Sequence, residues 1–423
     1  MMEKKHYEVL GETLYTGRLE NGLTVYVIPK PGFEKKYAFF ATGYGGADRR
    51  FQLDGTWRDT PAGIAHFLEH KLFDTETGNA LADLAANGAQ PNAFTSSELT
   101  AYYFECTDGF DENLKTLLSF VSVPYFTPES VAKEQGIIGQ EIDMVEDTPG
   151  YVVYFNLLKG LYGAHPVRDS VAGTVESIAQ ITAEVLYDLH RAFYRPSNMV
   201  LCAVGDVDPE QVLETAREML PPEYHEPPVK DYGPHDETPV IQAKTQAAME
   251  VSQPLFIAGT RVPTGGRGEA YLRQSLIGNL ATQYLAGKSS PLYIRLYAEG
   301  LISSDFACDF MAGLSYALTV FGGESRDPDQ VLAEIKAEAE KLLHQGIDEA
   351  RFIRLKKATS GQLIRELDSV EALCHGQTES HFHGASALDR LAILTEITSA
   401  DVGNFIAQHL KPEQFALSVV GPK

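Results

Sequence analysis

The chain has 423 residues, of which 44% are hydrophobic, and it carries a formal net charge of −23. This length exceeds one ordinary hydrophobic core and predicts two domains of roughly 200 residues each. The negative charge argues against nucleic acid as a partner, because the phosphate backbone would be repelled. It favours basic or neutral substrates, although an acidic surface that only aids solubility explains it equally well.

Cysteine spacing and the lack of a long apolar run bear on location. The four cysteines lie far apart, with no C-x-x-C pairing, at Cys106, Cys202, Cys308 and Cys374. This spacing is typical of reduced thiols in a cytoplasmic protein. The first residues, M-M-E-K-K-H-Y-E, lack an apolar signal core, and no run of about 18 apolar residues occurs. We therefore expect a cytoplasmic protein that does not span a membrane.

Periodicity and turn signals place the elements of the first half. Asn21-Gly22 lies between two alternating runs in residues 14–31, which predicts a β-hairpin. Further strands are predicted at 37–44, 90–95, 99–107 and 199–207. Helices are predicted at 61–73, 77–87, 110–123, 128–148, 151–162, 183–194 and 209–220.

The second half repeats the order of elements after a linker. Residues 221–239 are rich in proline and charge and lack periodicity, so we place a first domain at 1–222, a linker at 223–240 and a second domain at 241–423. Strands are predicted at 248–259, 303–311, 316–322 and 415–420, and helices at 269–285, 328–344, 348–373 and 400–409. The repetition indicates an α+β fold with two homologous α/β-sandwich halves, each a mostly antiparallel sheet with helices packed on it.

The helix at 61–73, within D-T-P-A-G-I-A-H-F-L-E-H-K-L-F, contains the strongest motif. Asp59 or Thr60 is expected to cap it, and Pro61 suits the first helical position. His66 and His70 are four apart and therefore project from one face. Such pairs also occur by chance on many helices. The long helix of the second half has no histidine, so that half is expected to be degenerate.

The order H-F-L-E-H makes metal binding the stronger interpretation. It is the inverse of the H-E-x-x-H zinc helix and is an inverzincin signature. The helix is apolar enough to be buried, and burying two histidines and Glu69 without partners costs several kcal/mol. A zinc ion removes that cost, and two histidines leave room for a third protein ligand and a water.

The third ligand is expected from the helix at 128–148. Glu134 and Glu141 are seven apart and share one face. An isolated pair of this kind is more often a solvated surface pair. Because the H-F-L-E-H helix needs a further ligand, Glu141 is predicted to complete a site for one Zn²⁺ per chain.

These motifs resemble the pitrilysin/insulinase family of zinc peptidases. The resemblance rests on H-F-L-E-H at 66–70, Glu141, N-A-F-T at 92–95, G-T-V-E-S-I at 173–178 and F-Y-R-P-S-N-M-V-L-C-A-V-G-D-V at 193–207. The length is similar to that of the shorter bacterial members and of the mitochondrial processing peptidase type. In those proteins two two-domain chains form a closed clamshell, which implies an enclosed chamber for short or unfolded peptides.

The resemblance also implies a role for each site residue. His66, His70 and Glu141 would hold zinc, and Glu69 would be the general base that takes a proton from the attacking water. Glu134 would orient or tune the site. Residues 90–95 match the edge strand that pairs with an extended substrate, so the implied substrate-binding residues are Asn92, Ala93, Phe94 and Thr95.

One stretch departs from the family pattern. Active members usually carry an Arg and a Tyr in the second half, whereas this chain reads L-Y-A-E-G-L-I-S-S. Tyr297 lies near the arginine's place and Ser303 or Ser304 near the tyrosine's, and Arg295 is two residues off. We therefore expect a homologous partner chain that supplies the missing pair in a heterodimer, and a homodimer is the alternative.

Two further interpretations stay open at this point. The chain could be a noncatalytic peptide-binding or assembly subunit, although a retired site would be expected to lose part of the H-F-L-E-H and Glu141 set. The segment C-H-G-Q-T-E-S-H-F-H contains Cys374, His375, His381 and His383. We interpret it as a polar loop after a long helix rather than as a second metal site.

Overall fold

A computed structural model describes residues 1–234 and 236–423. The strands of the first half are β1 Glu3–Tyr7, β2 Glu12–Arg18, β3 Thr24–Pro29, β4 Lys36–Thr42, β5 Arg50–Leu53, β6 Thr56–Asp59, β7 Asp74–Thr75, β8 Gly78–Asn79, β9 Gln90–Thr95, β10 Thr100–Cys106 and β11 Met199–Gly205. Its helices are α1 Ile64–Leu72, α2 Ala80–Ala86, α3 Phe110–Ser122, α4 Pro128–Glu146, α5 Pro149–Leu161, α6 Val175–Ile178, α7 Ala183–Phe193 and α8 Pro209–Met219.

The second half contains fewer strands and longer helices. Its strands are β12 Lys244–Met249, β13 Leu255–Arg261, β14 Ala307–Ala312, β15 Ala317–Glu324 and β16 Phe415–Pro422. Its helices are α9 Glu269–Ala286, α10 Pro291–Ala298, α11 Pro328–Gln345, α12 Glu349–Glu366, α13 Val370–Phe382, α14 Arg390–Glu396 and α15 Ser399–His409. No helix in the part of the chain that the structure describes is long and apolar enough to cross a membrane.

The first compact unit is built on a seven-stranded sheet in the order β1-β2-β3-β11-β4-β10-β9. The predicted hairpin is confirmed, because β2 and β3 pair as antiparallel neighbours. Strand β11 is buried along its whole length, since alternate residues face two separate cores. Leu201 belongs to the core that also contains residues of α1, α3 and α7, whereas Cys202 on the opposite face packs with α13.

The second compact unit is built on a five-stranded sheet in the order β12-β16-β13-β15-β14. Helix α5 packs on β12, β13 and β16, where Leu157 and Leu161 share a core with Leu318 and Ala416. Helix α9 packs on β14 and β15. The sheet is therefore covered by helices of both halves of the chain.

Strand pairing confirms the predicted fold class of two similar sandwich halves. In each sheet a late strand, β11 or β16, is parallel to one neighbour and antiparallel to the other. Thr42 pairs with Thr100 in the first sheet, and Thr260 pairs with Thr319 in the second. The late strands also have similar sequences, M-V-L-C-A-V-G and F-A-L-S-V-V-G.

The compact units do not follow chain order. The first contains Met1–Ile142, Ser170–Tyr232 and Ile364–Leu388, and the second contains Asp143–Asp169, Gly233–Leu363 and Asp389–Lys423. Each half thus gives one helix, α5 or α13, to the other unit, because each sheet has a second apolar face to cover. The division at 1–222 and 241–423, with a catalytic first domain, stays a prediction about the two repeats.

Three predicted elements of the chain are wrong in detail. The helix predicted at 348–373 is two helices, α12 and α13, because residues 367–369 interrupt it. The strand predicted at 248–259 is β12 and β13 with a break between them. The polar loop predicted around residues 374–383 is mostly the helix α13, whose apolar face is buried on the first sheet.

Candidate metal centre

Helix α1 begins later than the sequence indicates. Asp59 belongs to β6, and the N-cap residue is Gly63, with φ 89°. A Cβ at this position would lie 2.4 Å from the carbonyl oxygen of Ala172. The predicted caps at Asp59 and Thr60 are therefore wrong: a left-handed backbone and close contact with another chain segment set the start of the helix, and only glycine suits both.

Helix α1 is buried on its apolar side and holds two histidines on another. Ile64, Phe67 and Leu68 are at most 2% exposed. The rings of His66 and His70 lie with their centroids 4.5 Å apart. Apolar packing against the sheet fixes the rotation of the helix, so both imidazoles project in one direction.

Helix α4 brings two carboxylates to these imidazoles. His66 Nε2 and His70 Nε2 each lie 3.6 Å from an oxygen of Glu141, one from Oε1 and one from Oε2. Ile138 and Ile142 of α4 are buried in the same core as α1, which orients the helix. The structure thus brings together the three residues for which a zinc-binding role was predicted.

The other carboxylate of α4 binds the far nitrogen of His70. Glu134 Oε1 lies 3.1 Å from His70 Nδ1, which donates the hydrogen bond in the tautomer that leaves Nε2 free. Glu134 Oε2 lies 3.9 Å from Nζ of Lys71, whose side chain is 1% exposed and also pairs with Asp74. A buried ammonium group therefore neutralises charge behind the imidazole.

Burial and nearby charge shift the pKa values of these groups. Burial, with a smaller contribution from His70, lowers the pKa of His66 to about 4, so its imidazole is neutral at neutral pH. Burial also acts to lower the pKa of His70, but the hydrogen bond that its imidazole donates to Glu134, together with the nearby carboxylates, outweighs burial and raises that pKa. Burial raises the pKa of Glu69, which moves it towards the range useful for a general base.

Strand β9 lies beside α1 at the edge of the sheet. Thr95 Oγ1 donates a 2.6 Å hydrogen bond to Glu69 Oε2. Ala93 packs with the α1 core, whereas Phe94 packs on the opposite face with His375 and Phe39. The backbone amide of Ala93 donates to Oδ1 of Asn92 at 2.9 Å. Only one face of this strand is therefore directed towards the candidate site.

The donor set and its spacing fit a zinc ion. One ligand atom each from His66, His70 and Glu141 lie within 4.8 Å of one another. Ligands about 2.0–2.2 Å from a tetrahedral zinc are about 3.3–3.6 Å apart, close to the separations found here. Two neutral imidazole nitrogens and one carboxylate form a zinc donor set that leaves a fourth position open. His66 Nδ1 has no hydrogen-bond partner among the described residues, so no protein contact competes for its tautomer.

The second unit fills the corresponding position with apolar groups. Thr95 pairs with Thr100 in the first sheet, and Phe310 pairs with Thr319 in the second. A Cβ on Gly278 of α9 would lie 2.4 Å from the ring of Phe310. The ring of Phe310 thus stands at the register position where the first unit has the hydroxyl of Thr95.

The histidines of α13 and of its C-cap have separate protein partners. His375 stacks on Phe94 with ring centroids 5.4 Å apart, and His381 Nδ1 lies 3.2 Å from the hydroxyl of Tyr26. His383 Nε2 lies 3.8 Å from a carboxylate oxygen of Glu98. Their side chains therefore connect α13 to three different strands or turns of the first sheet.

Sequence reasoning missed Lys71 and the bond between Thr95 and Glu69. The sequence does not indicate a role for Lys71, because a lysine is usually exposed and the burial of Lys71 depends on partners from outside α1. The only local signal was its place directly after the H-F-L-E-H motif in an apolar helix. The sequence pattern indicates the strand that contains Thr95, whereas its hydroxyl contact depends on the packing of β9 against α1.

Comparison with known proteins agrees with this architecture. The family model described as insulinase (peptidase family M16) matches residues 55–175, and the one described as the peptidase M16 inactive domain matches 180–359. The chain is 39% identical to YmfH of Bacillus subtilis (strain 168), named an uncharacterized zinc protease, with 100% of both chains covered. It is 28% identical to the uncharacterized zinc protease ML0855 of Mycobacterium leprae, over 86% of this chain and 83% of that one.

Solved structures share the fold. A protein from Alicyclobacillus acidocaldarius described as an M16-like peptidase has a TM-score of 0.93 and 33% identity, covering 100% of this chain and 99% of that chain. Pitrilysin has a TM-score of 0.77 at 17% identity, covering 100% of this chain and 46% of its own, which is a likeness of fold. From sequence, fold and relatives together, this chain belongs to the insulinase family of peptidases, family M16.

Proposed function

We propose that the chain is a zinc-dependent endopeptidase that holds one Zn²⁺ with His66, His70 and Glu141. The observation that carries the proposal is the convergence of both imidazole Nε2 atoms on the carboxylate of Glu141, at 3.6 Å each. The relatives named zinc proteases support the choice of metal.

The side chains around the site have distinct tasks in this proposal. A bound zinc supplies Lewis-acid polarisation of the peptide carbonyl and lowers the pKa of water. Glu69, on the same helix as both histidines and with its pKa raised by burial, takes the proton from the water that attacks the carbonyl. Glu134 holds the imidazole of His70 through Nδ1, which keeps Nε2 available as a ligand.

We also propose that β9 receives the substrate as an added strand. It is the terminal strand of the first sheet, so one of its edges has no strand partner among the residues that the structure describes. Backbone pairing gives affinity with little dependence on sequence, and it needs an extended, unfolded segment. A substrate strand would have to compete with the side chain of Asn92 for the amide of Ala93. Short or unfolded peptides, such as precursor or leader peptides, are therefore the substrate class.

Turnover and metal content test the proposed activity together. The native chain should contain about one zinc and, assayed alone and with a homologous partner chain, should cleave unstructured peptides in at least one of the two assays; His70→Ala should lose both zinc and cleavage. Glu69→Gln should keep zinc while activity falls by at least about 100-fold, the usual scale for loss of a general base. His6→Ala, in the exposed strand β1, is the matched control. Unchanged peptide turnover in a metal-free His70→Ala variant would refute the assignment.

The second-half segment near Tyr297 favours a partner-dependent enzyme. Tyr297 is 52% exposed, and Arg295 is engaged with Glu334 at 2.6 Å. Neither residue stands at the position that the Arg or the Tyr of active members usually occupies: Tyr297 lies near the arginine's place, and Arg295 is two residues away from it. We propose that a homologous chain with that pair completes the site in a heterodimer and encloses the substrate, with a homodimer as the alternative. Full activity of the chain alone would remove the basis for a heterodimer.

Because this segment lacks the Arg and Tyr pair of active members, a second candidate function is a noncatalytic peptide-binding or assembly subunit. The matched description of residues 180–359 as an M16 inactive domain also fits a second half without chemistry. This function predicts peptide binding without turnover, both alone and with a partner chain. The intact set of Glu69, two histidines and Glu141 favours the enzyme.

We propose the cytoplasm as the location. The support is the set of four cysteines, which are all buried and free. Fractionation of cells that express the chain tests this location directly, and recovery with the exported proteins would contradict it.

A further inference from the structure

Thr95 is the one residue of β9 whose side chain holds the candidate general base. Its hydroxyl donates to Glu69 Oε2 at 2.6 Å, within the short range typical of bonds to an ionised carboxylate. Glu69 is only 7% exposed, so water has little room to replace this donor. The contact therefore limits where the carboxylate can point.

The neighbouring hydroxyl directs the hydrogen of Thr95 towards Glu69. Thr100 donates its single hydrogen to the carbonyl oxygen of Tyr44 at 2.9 Å. The oxygen of Thr100 lies 3.2 Å from that of Thr95. With its hydrogen given to a group that can only accept, Thr100 offers no competing donor to Glu69. The carboxylate is the charged acceptor within reach of Thr95.

We propose that Thr95 is the positioning residue of Glu69, which fixes Oε2 and leaves Oε1 for the proton that is transferred. This inference rests on the proposed peptidase function and deepens it. Thr95 is the last residue of β9, so the strand proposed to receive the substrate also orients the base. The same strand would thereby fix the position of the substrate backbone relative to the carboxylate of Glu69.

Packing around the end of β9 makes Thr95 a rigid support. The turn that follows is tied to the segment before β5, because the amides of Gly46 and Ala47 donate to the carbonyls of Ser96 and Ser97 at 2.9 Å. A Cβ on Gly45 would lie 2.4 Å from the amide nitrogen of Glu98, so the two segments are in close contact. The hydroxyl of Thr95 therefore has little freedom to follow a displaced carboxylate.

The second unit has a different side chain at the register position that corresponds to Thr95. Phe310 takes the place of Thr95 opposite Thr319, and it packs on Gly278 rather than on a carboxylate. The hydroxyl is thus missing at this register position, and the second half also lacks the H-F-L-E-H motif that contains Glu69, as expected if the two groups work as a pair.

Kinetics of Thr95→Val and Thr95→Ser test the proposal. Valine keeps the shape but not the donor, and kcat should fall by about 10- to 100-fold with little change in KM, since a slightly misplaced reacting group costs up to about that much. Serine keeps the donor and should restore most of kcat. A change in KM alone, or equal loss in both variants, would overturn the positioning role in favour of substrate binding or packing.

A Glu69→Ala background separates this inference from the proposed function. In the Glu69→Ala variant, adding Thr95→Val should change the residual turnover by less than about twofold. The reason is that the effects of substituting two residues that act as a unit do not add. A second readout needs no turnover: Thr95→Val should lower the urea midpoint of the zinc-free protein with Glu69 present and not in Glu69→Ala. A native chain without peptidase activity, both alone and with a homologous partner chain, would refute the proposed function. Additive effects of the two substitutions on the urea midpoint would instead refute the contact between Thr95 and Glu69.

Discussion

At the scale of single residues, the candidate site combines several carboxylates with a buried ammonium group. Three carboxylates, Glu69, Glu134 and Glu141, lie around two imidazoles, and Lys71 is the buried cation among them. The spacing of the H-F-L-E-H motif predicted which side chains share a face. It did not predict Lys71, because a lysine becomes buried only where partners such as Glu134 are brought to it by another helix.

Lys71→Met should affect the zinc-free protein more than the loaded one. Methionine fills a similar volume, but Glu134 and Asp74 lose their cation. We expect the free energy of unfolding of the zinc-free form to fall by about 1–3 kcal/mol, and that of the loaded form by clearly less, since the ion offsets carboxylate charge.

Urea unfolding in chelator and in excess zinc measures this difference. Lys133→Met is the matched control, because Lys133 is an exposed lysine of α4. Equal losses in the two metal states would mean that Lys71 acts through packing alone.

At the scale of elements, the local pattern located the helices and strands around the site, and tertiary contacts set their ends. Helix α1 was predicted from apolar spacing, but its first turn depends on the close approach of residues 172–173, which no local signal reveals. Strand β9 was predicted from alternation, and its place at the sheet edge follows because, in the described part of the chain, it pairs only with β10.

Two glycine substitutions should have opposite effects. Gly63→Ala forces a side chain into a left-handed backbone and onto the oxygen of Ala172, so it should cost at least about 2 kcal/mol. Gly139→Ala lies in the middle of α4 with open space around it and should stabilise by up to about 1 kcal/mol. Thermal unfolding of both variants decides; a Gly63→Ala protein as stable as the native one contradicts the account of the helix start.

His190 should make the first unit sensitive to acid. Its Nε2 donates to the carbonyl of Val121 on α3 at 2.9 Å, and burial lowers its pKa from 6.5 to about 4. Below about pH 6.5 the imidazole of His190 becomes protonated in the unfolded chain but stays neutral in the folded chain. The contribution of His190 to stability is therefore complete above pH 6.5, and about 2 kcal/mol of it is lost at pH 5.

His190→Gln keeps a hydrogen-bond donor for the carbonyl of Val121 but removes the imidazole that titrates. The difference in urea midpoint between pH 7 and pH 5 should be smaller in this variant than in the native chain. His225→Gln, at an exposed position, should leave the difference unchanged. An unaltered pH dependence in His190→Gln would show that His190 is already able to take up the proton when folded.

At the scale of the whole molecule, the two repeats are joined by exchanged helices. The duplication was predictable from the order of elements, because each repeat keeps the same sequence of strands and helices. The exchange of α5 and α13 was not, since an amphipathic helix shows an apolar stripe but not the sheet it covers.

The first compact unit should require α13. One chain can join residues 1–142, 170–232 and 364–388 by flexible linkers, and a second can omit 364–388. Without that segment, an apolar sheet face that includes Phe39, Val200 and Val204 is uncovered. We expect cooperative urea unfolding of the first chain only, and strong binding of a hydrophobic dye by the second. Equal, cooperative unfolding of both chains would show that α13 is dispensable.

The location of the metal tests the central claim most directly. Anomalous scattering at the zinc edge from crystals of the native chain would locate any bound zinc. We predict one zinc per chain at about 2.0–2.2 Å from Nε2 of His66, Nε2 of His70 and a carboxylate oxygen of Glu141. A zinc bound elsewhere, for example at the histidines of α13, or imidazoles of His66 and His70 turned away from Glu141 in the presence of zinc, would contradict it.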